Sequence, residues 1–223
     1  MAGTHTPERQ DTMGVPKRLA IDPDTPDAGA LGRAAGAIRA GGIVAYPTDT
    51  LYGLAVDPRD AAAVARVFAL KGRGADRALP LIAASVDQVL GALGPLSPDE
   101  RRLVDACWPG PLTLAMRTSA ALAPDVSGEG GTVAVRVPAH AVARGLARAV
   151  GHPITATSAN VSGRPGPDDP EEVAALGDAI ALLLDAGRTP GGPPSTIVRL
   201  EPDGPRLLRE GAIPFARVLE LLR

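Results

Sequence analysis

The chain has 223 residues, a formal net charge of −2 and 22% charged residues, values typical of one folded domain with or without tails. Its single cysteine, Cys107, excludes an intrachain disulfide framework and a zinc cluster built on cysteines. The negative net charge argues against a protein that coats nucleic acid through its overall field, but not against one with a local basic cleft. No apolar run reaches the ~18 residues that cross a bilayer, so we expect a cytoplasmic protein without membrane contact.

The first half of the chain predicts alternating helices and strands after a polar tail. Residues 1–16 contain proline and show no periodicity, so we expect a mobile tail there and a folded catalytic domain over 17–223. Apolar spacing and turn residues divide the chain beyond the tail into elements. In chain order, the predicted elements are a helix at 28–40, a strand at 42–46, a helix at 60–70 capped by Asp57 or Asp60, a strand at 79–85 and a helix at 98–107.

The second half of the chain contains more strands than helices. The predicted elements are strands at 111–117 and 132–138, a helix at 139–149, a strand at 153–160, a short helix from Pro170, strands at 179–185, 195–200 and 205–210, and a final helix from Pro214. Two pairs of consecutive strands are close enough to be antiparallel, whereas the others alternate with helices. The sequence therefore predicts a single-domain α/β fold with one mixed sheet and flanking helices.

Standard catalytic motifs are absent from the sequence. It contains no P-loop, no dinucleotide-binding glycine pattern, no HExxH and no GxSxG. The three histidines, His5, His140 and His152, are isolated from one another, and we expect structural or surface positions for them. A histidine-based triad or metal site is therefore not predicted.

Lysine is rare in this chain, and its placement is informative. Only Lys17 and Lys71 account for lysine among the 23 basic residues, so arginine is used almost everywhere else. Lys71 ends a predicted helix and is followed by Arg73 and Arg77. This cluster is either a solvated basic helix terminus or a polyphosphate site, because an ammonium supplies a point charge and a guanidinium a bidentate donor.

Polar side chains also collect at the ends of predicted strands. Arg136 lies inside an apolar strand between two valines, so its guanidinium points either outward to water or inward to a paired anion. The cluster at 155–162 either satisfies its own turn or presents donors to an anion at a sheet edge. Taken together, these positions predict a cleft for an anionic ligand. The residues concerned are Thr48, Asp49, Thr50, Arg136, Thr155, Thr157, Ser158, Asn160, Ser162, Ser195, Thr196 and Arg209.

Seven sequence blocks occur in the order and spacing of one protein family. They are AYPTDTLYGL, LKGRGADRALPLIAAS, WPGPLTL, VAVRVP, ITATSANVSG, STIV and LLREGAI. Over about residues 28–215 the chain resembles the short bacterial form of the YrdC-like family of threonylcarbamoyl-AMP synthases. The resemblance implies a twisted, mixed α/β sheet around a wide basic cleft.

The resemblance also implies an activity and its partners. Members of the family are nucleotidyltransferases that condense L-threonine, bicarbonate and ATP, with Mg²⁺, into threonylcarbamoyl-AMP and pyrophosphate. A tRNA threonylcarbamoyl transferase complex then places the group on the adenosine next to the anticodon. Whether this chain contacts tRNA directly is left open by the sequence.

Ten residues match the functional positions of the family. Four of them would be catalytic and would grip the nucleotide phosphates: Lys71, Arg73, Ser158 and Asn160. Thr132 and Arg209 would be further ATP contacts. The four that would hold L-threonine are Thr50, Arg136, Ala156 and Ser195. The magnesium ion would be held mainly by the nucleotide and water, with no protein ligands.

The chain departs from the family pattern at three places. Gly74 stands where many members have proline, and Gly166 replaces a hydroxyl that relatives use. The stretch 77–84 lacks the asparagine and histidine of the longer members, which leaves part of the threonine pocket unassigned.

Two other functions remain open at the level of sequence. One is a same-fold paralogue that hydrolyses threonylcarbamoyl-AMP. The other is a non-enzymatic RNA-binding module, against which the scarcity of aromatic residues, 2% of the chain, argues.

Overall fold

A computed structural model describes residues 15–72 and 78–223 of the chain. Most of the predicted tail, and the predicted phosphate-binding residue Arg73, lie outside the described residues. Pro16, the last residue of the predicted tail, is buried, and the first strand begins directly after it at Lys17.

Seven α-helices occur in the described part of the chain, and six of them correspond to predicted helices. They are α1 (Ala28–Arg39), α2 (Ala61–Lys71), α3 (Val86–Leu93), α4 (Pro98–Cys107), α5 (Ala141–Val150), α6 (Pro170–Ala174) and α7 (Phe215–Leu221). Short 3₁₀ turns lie at 124–126, 129–131 and 177–179. The helix that was not predicted is α3, whose start is capped by Ser85.

Side-chain caps decide where several helices begin. The Asp60 carboxylate accepts hydrogen bonds from Ala62 N and Ala63 N, so Asp60 rather than Asp57 caps α2. Ser97 and Glu100 form a reciprocal capping box at the start of α4. None of the helices in the described ranges is both long and apolar enough to span a membrane.

The strands form two mixed sheets rather than the one predicted. The first sheet has the order β1 (Lys17–Ala20), β9 (Leu182–Asp185), β2 (Val44–Tyr46), β3 (Gly53–Ala55) and β8 (Thr157–Ser158). The second has the order β11 (Gly204–Arg209), β10 (Thr196–Glu201), β5 (Leu112–Arg117), β6 (Thr132–Arg136), β4 (Leu81–Ile82) and β7 (Ile154–Thr155). The prediction of a mixed α/β protein with flanking helices is confirmed.

The predicted strand at 153–160 is where the single-sheet prediction is wrong. Residues 154–155 form β7 and pair with β4 of the second sheet, whereas residues 157–158 form β8 and pair with β3 of the first. Ala156, between them, donates its N–H to Pro80 O at 2.7 Å. The chain therefore crosses from one sheet to the other at Ala156, a change that a continuous β-like sequence does not reveal.

Two apolar clusters, built mainly from Ala, Val, Leu and Ile, form the core. The larger cluster includes Leu112, Leu114 and Val135 of the second sheet. The smaller one lies under α1 and α5. These helices approach so closely that a Cβ added at Gly145 would lie 2.7 Å from Leu31 Cδ1.

Candidate active site

Lys71 anchors the turn that follows β8. The residue is only 2% exposed at the end of α2, where Gly72 adopts the left-handed conformation that ends the helix. Its Nζ donates to Ser158 O at 2.7 Å, to Asn160 O at 2.9 Å and to Asn160 Oδ1 at 3.0 Å. Lys71 therefore organises the turn at 158–160, and a direct phosphate contact by its ammonium stays a prediction.

The side chains of this turn are themselves interlocked. Ser158 Oγ donates to Asn160 Oδ1, and Asn160 Nδ2 donates to Arg164 O. The N–H of Ser162 donates to Lys71 O at 2.9 Å, which ties the end of α2 to the turn a second time. A Cβ at Gly166 would lie 3.3 Å from Ser158 Cβ, so this departure from the family lies directly beside the turn.

One face of the second sheet collects most of the remaining candidate residues. Side chains alternate between the faces of a strand, and Val133, Val135, Leu112 and Leu114 belong to the apolar core. The opposite face of β6 therefore carries Thr132 and Arg136, whose Cα atoms are separated by roughly 13 Å along the strand. The same face carries Thr113 of β5. Thr113 pairs with Ile197 of β10, and Ile197 pairs with Arg209 of β11, so the three residues form a row across these strands.

Arg136 points inward and is paired with Asp49. The residue is 8% exposed, and its Nη1 lies 3.0 Å from Asp49 Oδ1 and 3.2 Å from Asp49 Oδ2. The N–H of Ala139 also donates to Asp49 Oδ2 at 3.3 Å. Nε and Nη2 of Arg136 make no hydrogen bond to any described residue. One edge of the guanidinium is thus available to a ligand carboxylate.

Burial shifts two titratable groups close to this pair. It lowers the pKa of His140, at the start of α5, an effect that the carboxylates of Asp49 and Asp24 partly oppose. Burial also raises the pKa of Tyr46, whose hydroxyl donates to Thr155 O at 3.4 Å. Burial therefore favours the neutral forms of His140 and Tyr46, and Asp49 is the ionic partner of Arg136.

Thr50 lies beside the pair in a loop held by a second segment. Its carbonyl accepts hydrogen bonds from Gly191 N at 2.8 Å and from Thr189 Oγ1 at 2.9 Å. Tyr52 Oη donates to Gly187 O at 2.7 Å, and burial raises the pKa of this phenol to about 12. The segment 187–191 therefore fixes the backbone on which Thr50 is presented.

Ser195, Arg209 and Thr113 form a third group. Arg209 donates to Ser195 O from Nε at 3.1 Å and from Nη2 at 2.8 Å, and Nη2 also donates to Ser195 Oγ at 3.1 Å. Thr113 Oγ1 lies 2.8 Å from Ser195 Oγ. Thr113 was not predicted from the sequence, although a hydroxyl in the otherwise apolar stretch LTLAM was a signal for it.

The structure thus brings the described candidates into three contact groups: Lys71 with Ser158 and Asn160, Arg136 with Asp49, and Ser195 with Arg209. Thr132 shares a strand face with Arg136. The N–H of Ala156 is used by Pro80, so only its carbonyl remains for a ligand. No cluster of three or more acidic, histidine or cysteine side chains that could hold a metal ion occurs among the described residues.

Comparison with known proteins decides the family. A family model for the Sua5, YciO and YrdC proteins, whose description reads telomere recombination, matches residues 36–211. The chain belongs to this family. The predicted resemblance is therefore confirmed over most of the chain.

Family relatives differ in length around this shared region. A relative from Mycobacterium tuberculosis, named as a candidate threonylcarbamoyl-AMP synthase, is 41% identical over 190 residues, 85% of this chain and 87% of the relative. The threonylcarbamoyl-AMP synthase of Bacillus subtilis is 39% identical over 185 residues, 82% of this chain but 54% of its own length. The structure of Pyrococcus abyssi Sua5 complexed with L-threonine matches 92% of this chain and 60% of its own, with 36% identity and a TM-score of 0.84.

Proposed function

We propose that this protein is an L-threonylcarbamoyladenylate synthase, which condenses L-threonine, bicarbonate and ATP to threonylcarbamoyl-AMP and pyrophosphate. The observation that carries the proposal is the match of nearly the whole chain to the Pyrococcus abyssi protein complexed with L-threonine. The enzyme name of the Bacillus subtilis relative supports the same reaction. The arrangement of charged and polar groups on this chain fits such a reaction.

The threonine end of the site lies around Arg136. The open edge of its guanidinium suits the carboxylate of the amino acid, because two parallel N–H groups match two carboxylate oxygens. Thr50, the carbonyl of Ala156 and Ser195 would complete this end. The burial of Arg136 strengthens the attraction, since a charge pair is screened less inside a protein than in water.

The nucleotide end lies between the turn at 158–160 and Arg209. Lys71 holds that turn in place, so that Ser158 and Asn160 face the phosphates, and Arg73 would add a cation from outside the described residues. Thr132 would contact the nucleotide farther along the face that carries Arg136. The separation of roughly 13 Å between these two positions leaves room for a nucleotide beside an amino acid.

The reaction itself asks for positioning and charge neutralisation. The amine of L-threonine and bicarbonate give a carbamate and water, and a carbamate oxygen then attacks the α-phosphorus while pyrophosphate leaves. Arg209 and the organised turn would stabilise negative charge on the phosphates. Mg²⁺ would enter as part of the MgATP substrate and would be held mainly by the nucleotide and water.

The product would serve tRNA modification. An acyl-adenylate is an activated group donor, so a separate transferase complex would move the threonylcarbamoyl group to the adenosine next to the tRNA anticodon. We infer that the protein acts in the cytoplasm, where such a substrate is found. Direct contact between this chain and tRNA is not needed for the reaction proposed.

Purified protein incubated with MgATP, bicarbonate and labelled L-threonine tests the proposal. We expect pyrophosphate and threonylcarbamoyl-AMP in equal amounts, and neither when bicarbonate or L-threonine is omitted or when serine replaces threonine. Breakdown of added threonylcarbamoyl-AMP without synthesis would instead identify a hydrolytic paralogue. ATP-independent RNA retention that survives Lys71→Ala and Ser158→Ala, with no adenylate formed, would identify an RNA-binding module.

A further inference from the structure

The hydroxyl of Thr113 lies at the centre of the proposed threonine end. Thr113 is only 2% exposed, and its Oγ1 lies 2.8 Å from Ser195 Oγ, although the two residues are 82 positions apart in the chain. Thr113 and Arg136 come one residue beyond the Leu114–Val135 pair of β5 and β6, so they stand side by side on adjacent strands. Thr113 thus lies between two residues that would hold L-threonine.

The geometry of the Thr113–Ser195 hydrogen bond allows either hydroxyl to donate. A hydroxyl has one hydrogen to donate and two lone pairs that accept. Within residues 15–72 and 78–223, Ser195 Oγ is the one hydrogen-bond partner of the Thr113 hydroxyl. Whichever hydroxyl donates, one of the two hydrogens is left for a further acceptor. Thr113 is the more deeply buried residue, 2% exposed against 8% for Ser195, so an unpaired hydrogen is more costly on Thr113. The difference in burial therefore favours Thr113 as the donor and Ser195 as the acceptor.

Arg209 occupies the remaining lone pair of Ser195 Oγ. A guanidinium only donates, and Arg209 Nη2 lies 3.1 Å from Ser195 Oγ. With both lone pairs of Ser195 accepting, its own hydrogen has to be given to a further acceptor. No described residue supplies that acceptor, so the hydrogen is available to a bound ligand.

We propose that Thr113 is a positioning residue that, together with Arg209, makes Ser195 an obligatory hydrogen-bond donor to an anionic oxygen of bound L-threonine. This inference rests on the proposed function and deepens it. The threonine ammonium, which only donates, is rejected at Ser195, so the amino acid binds with its carboxylate toward Arg136 and Ser195. The amine then stays available for bicarbonate.

Steady-state kinetics of Thr113→Val, which keeps the shape and removes the hydroxyl, test the proposal. We expect the KM for L-threonine to rise about tenfold, equivalent to about 1.4 kcal/mol, with kcat and the KM for ATP within about twofold. Thr113→Ser should restore the KM. Should Thr113→Val not fold, Thr113→Cys replaces it, because a thiol is a weak donor. In a Ser195→Ala background, Thr113→Val should raise the KM no further.

Thr118→Val is the matched control. Thr118 directly follows β5, the strand that carries Thr113, but its hydroxyl donates to Leu93 O at 2.8 Å and does not touch Ser195. The Thr118→Val variant should therefore lose thermal stability without a change in the KM for L-threonine. Two results with an active wild type would overturn this inference and leave the proposed function standing. One is an unchanged KM for L-threonine in Thr113→Val, and the other is an equal rise in the KM for ATP in that variant. A wild type that neither binds L-threonine in calorimetry nor makes the adenylate overturns the proposed function and this inference with it.

Discussion

Arg136 and Asp49, 87 residues apart in the chain, form an ion pair with 3.0 Å between Nη1 and Oδ1 and with little exposure of either side chain. The sequence alone left Arg136 with two alternatives, water or an internal anion, and the structure selects the anion. The partner comes from the loop after β2, which also carries Thr50. One contact therefore orients the guanidinium and fixes the loop beside the proposed threonine end.

Asp49→Asn should destabilise the protein, because it leaves a buried guanidinium without its counter-charge. We expect the free energy of unfolding to fall by about 1–3 kcal/mol in urea denaturation. The exposed Arg101–Asp105 pair supplies a control, and Asp105→Asn should change the same quantity by less than about 0.5 kcal/mol. Equal effects of the two substitutions would show that the Arg136–Asp49 pair stabilises nothing.

Lys71→Ala should cost both turnover and stability. The sequence predicts that this variant loses far more turnover than fold stability. The burial of Lys71 and its three hydrogen bonds add a loss of about 2–4 kcal/mol in the free energy of unfolding. Adenylate formation should fall at least about 100-fold, which is about 2.7 kcal/mol of transition-state stabilisation.

Lys17 is the matched control for this prediction, being the other lysine of the chain and exposed on β1. Lys17→Ala should leave both the unfolding midpoint and the turnover close to those of the wild type. Adenylate formation at the wild-type rate by Lys71→Ala would contradict the assignment of this site.

His140 should make the protein less stable in mild acid. Burial lowers its pKa in the folded state, while in the unfolded chain the pKa stays at about 6.5. The unfolded state then binds more protons below that pH, so stability is complete above about pH 6.5 and is lost as the pH falls. A charge at the start of α5 would also oppose the helix dipole.

The measurement is the urea unfolding midpoint of wild type and His140→Gln at pH 8 and pH 5. All other groups titrate in both proteins, so the difference between them isolates His140. We expect the wild type to lose more stability than the variant between these two values. A larger loss in the variant would mean that Asp49 and Asp24 outweigh burial.

Gly211→Ala should disturb the site through the backbone. A Cβ at Gly211 would lie 2.1 Å from Pro194 O and 2.7 Å from Ser195 C, so the segment carrying Ser195 has to move. Thr196 Oγ1 accepts hydrogen bonds from Gly211 N and Ile213 N, both at 3.0 Å, which leaves little freedom to adjust. We expect a lower melting temperature together with a higher KM for L-threonine.

Gly32→Ala makes the same chemical change as Gly211→Ala but should raise the stability of the protein instead of lowering it. No atom lies within 4 Å of a Cβ added at Gly32, which is inside α1. Alanine there should raise the free energy of unfolding by about 0.5–1 kcal/mol, because it restricts the unfolded chain and favours helix. The KM for L-threonine should not change. A loss of stability would show that α1 is constrained in a way its packing does not indicate.

The local patterns were sufficient for most helices and for the class of fold. Apolar spacing and caps located α1, α2 and α4 to α7 within a few residues, since these depend on neighbours in the sequence. The strands β1 and β3 were missed. Lys17 and Arg18 make β1 look like a polar terminus, and β3 is three residues long inside a loop rich in turn residues.

The sequence by itself determined the mixed α/β class, the family and the identity of ten candidate residues. The class follows from local periodicity, and the family and the candidate residues follow from blocks of contiguous residues. Only the tertiary structure decided that the strands divide between two sheets at Ala156 and that Thr113 lies between Ser195 and Arg136. Strand order and register depend on pairing between segments far apart in the chain, where packing of the whole core chooses among alternatives of similar local preference. No local pattern encodes that choice, and it is what brings the site together.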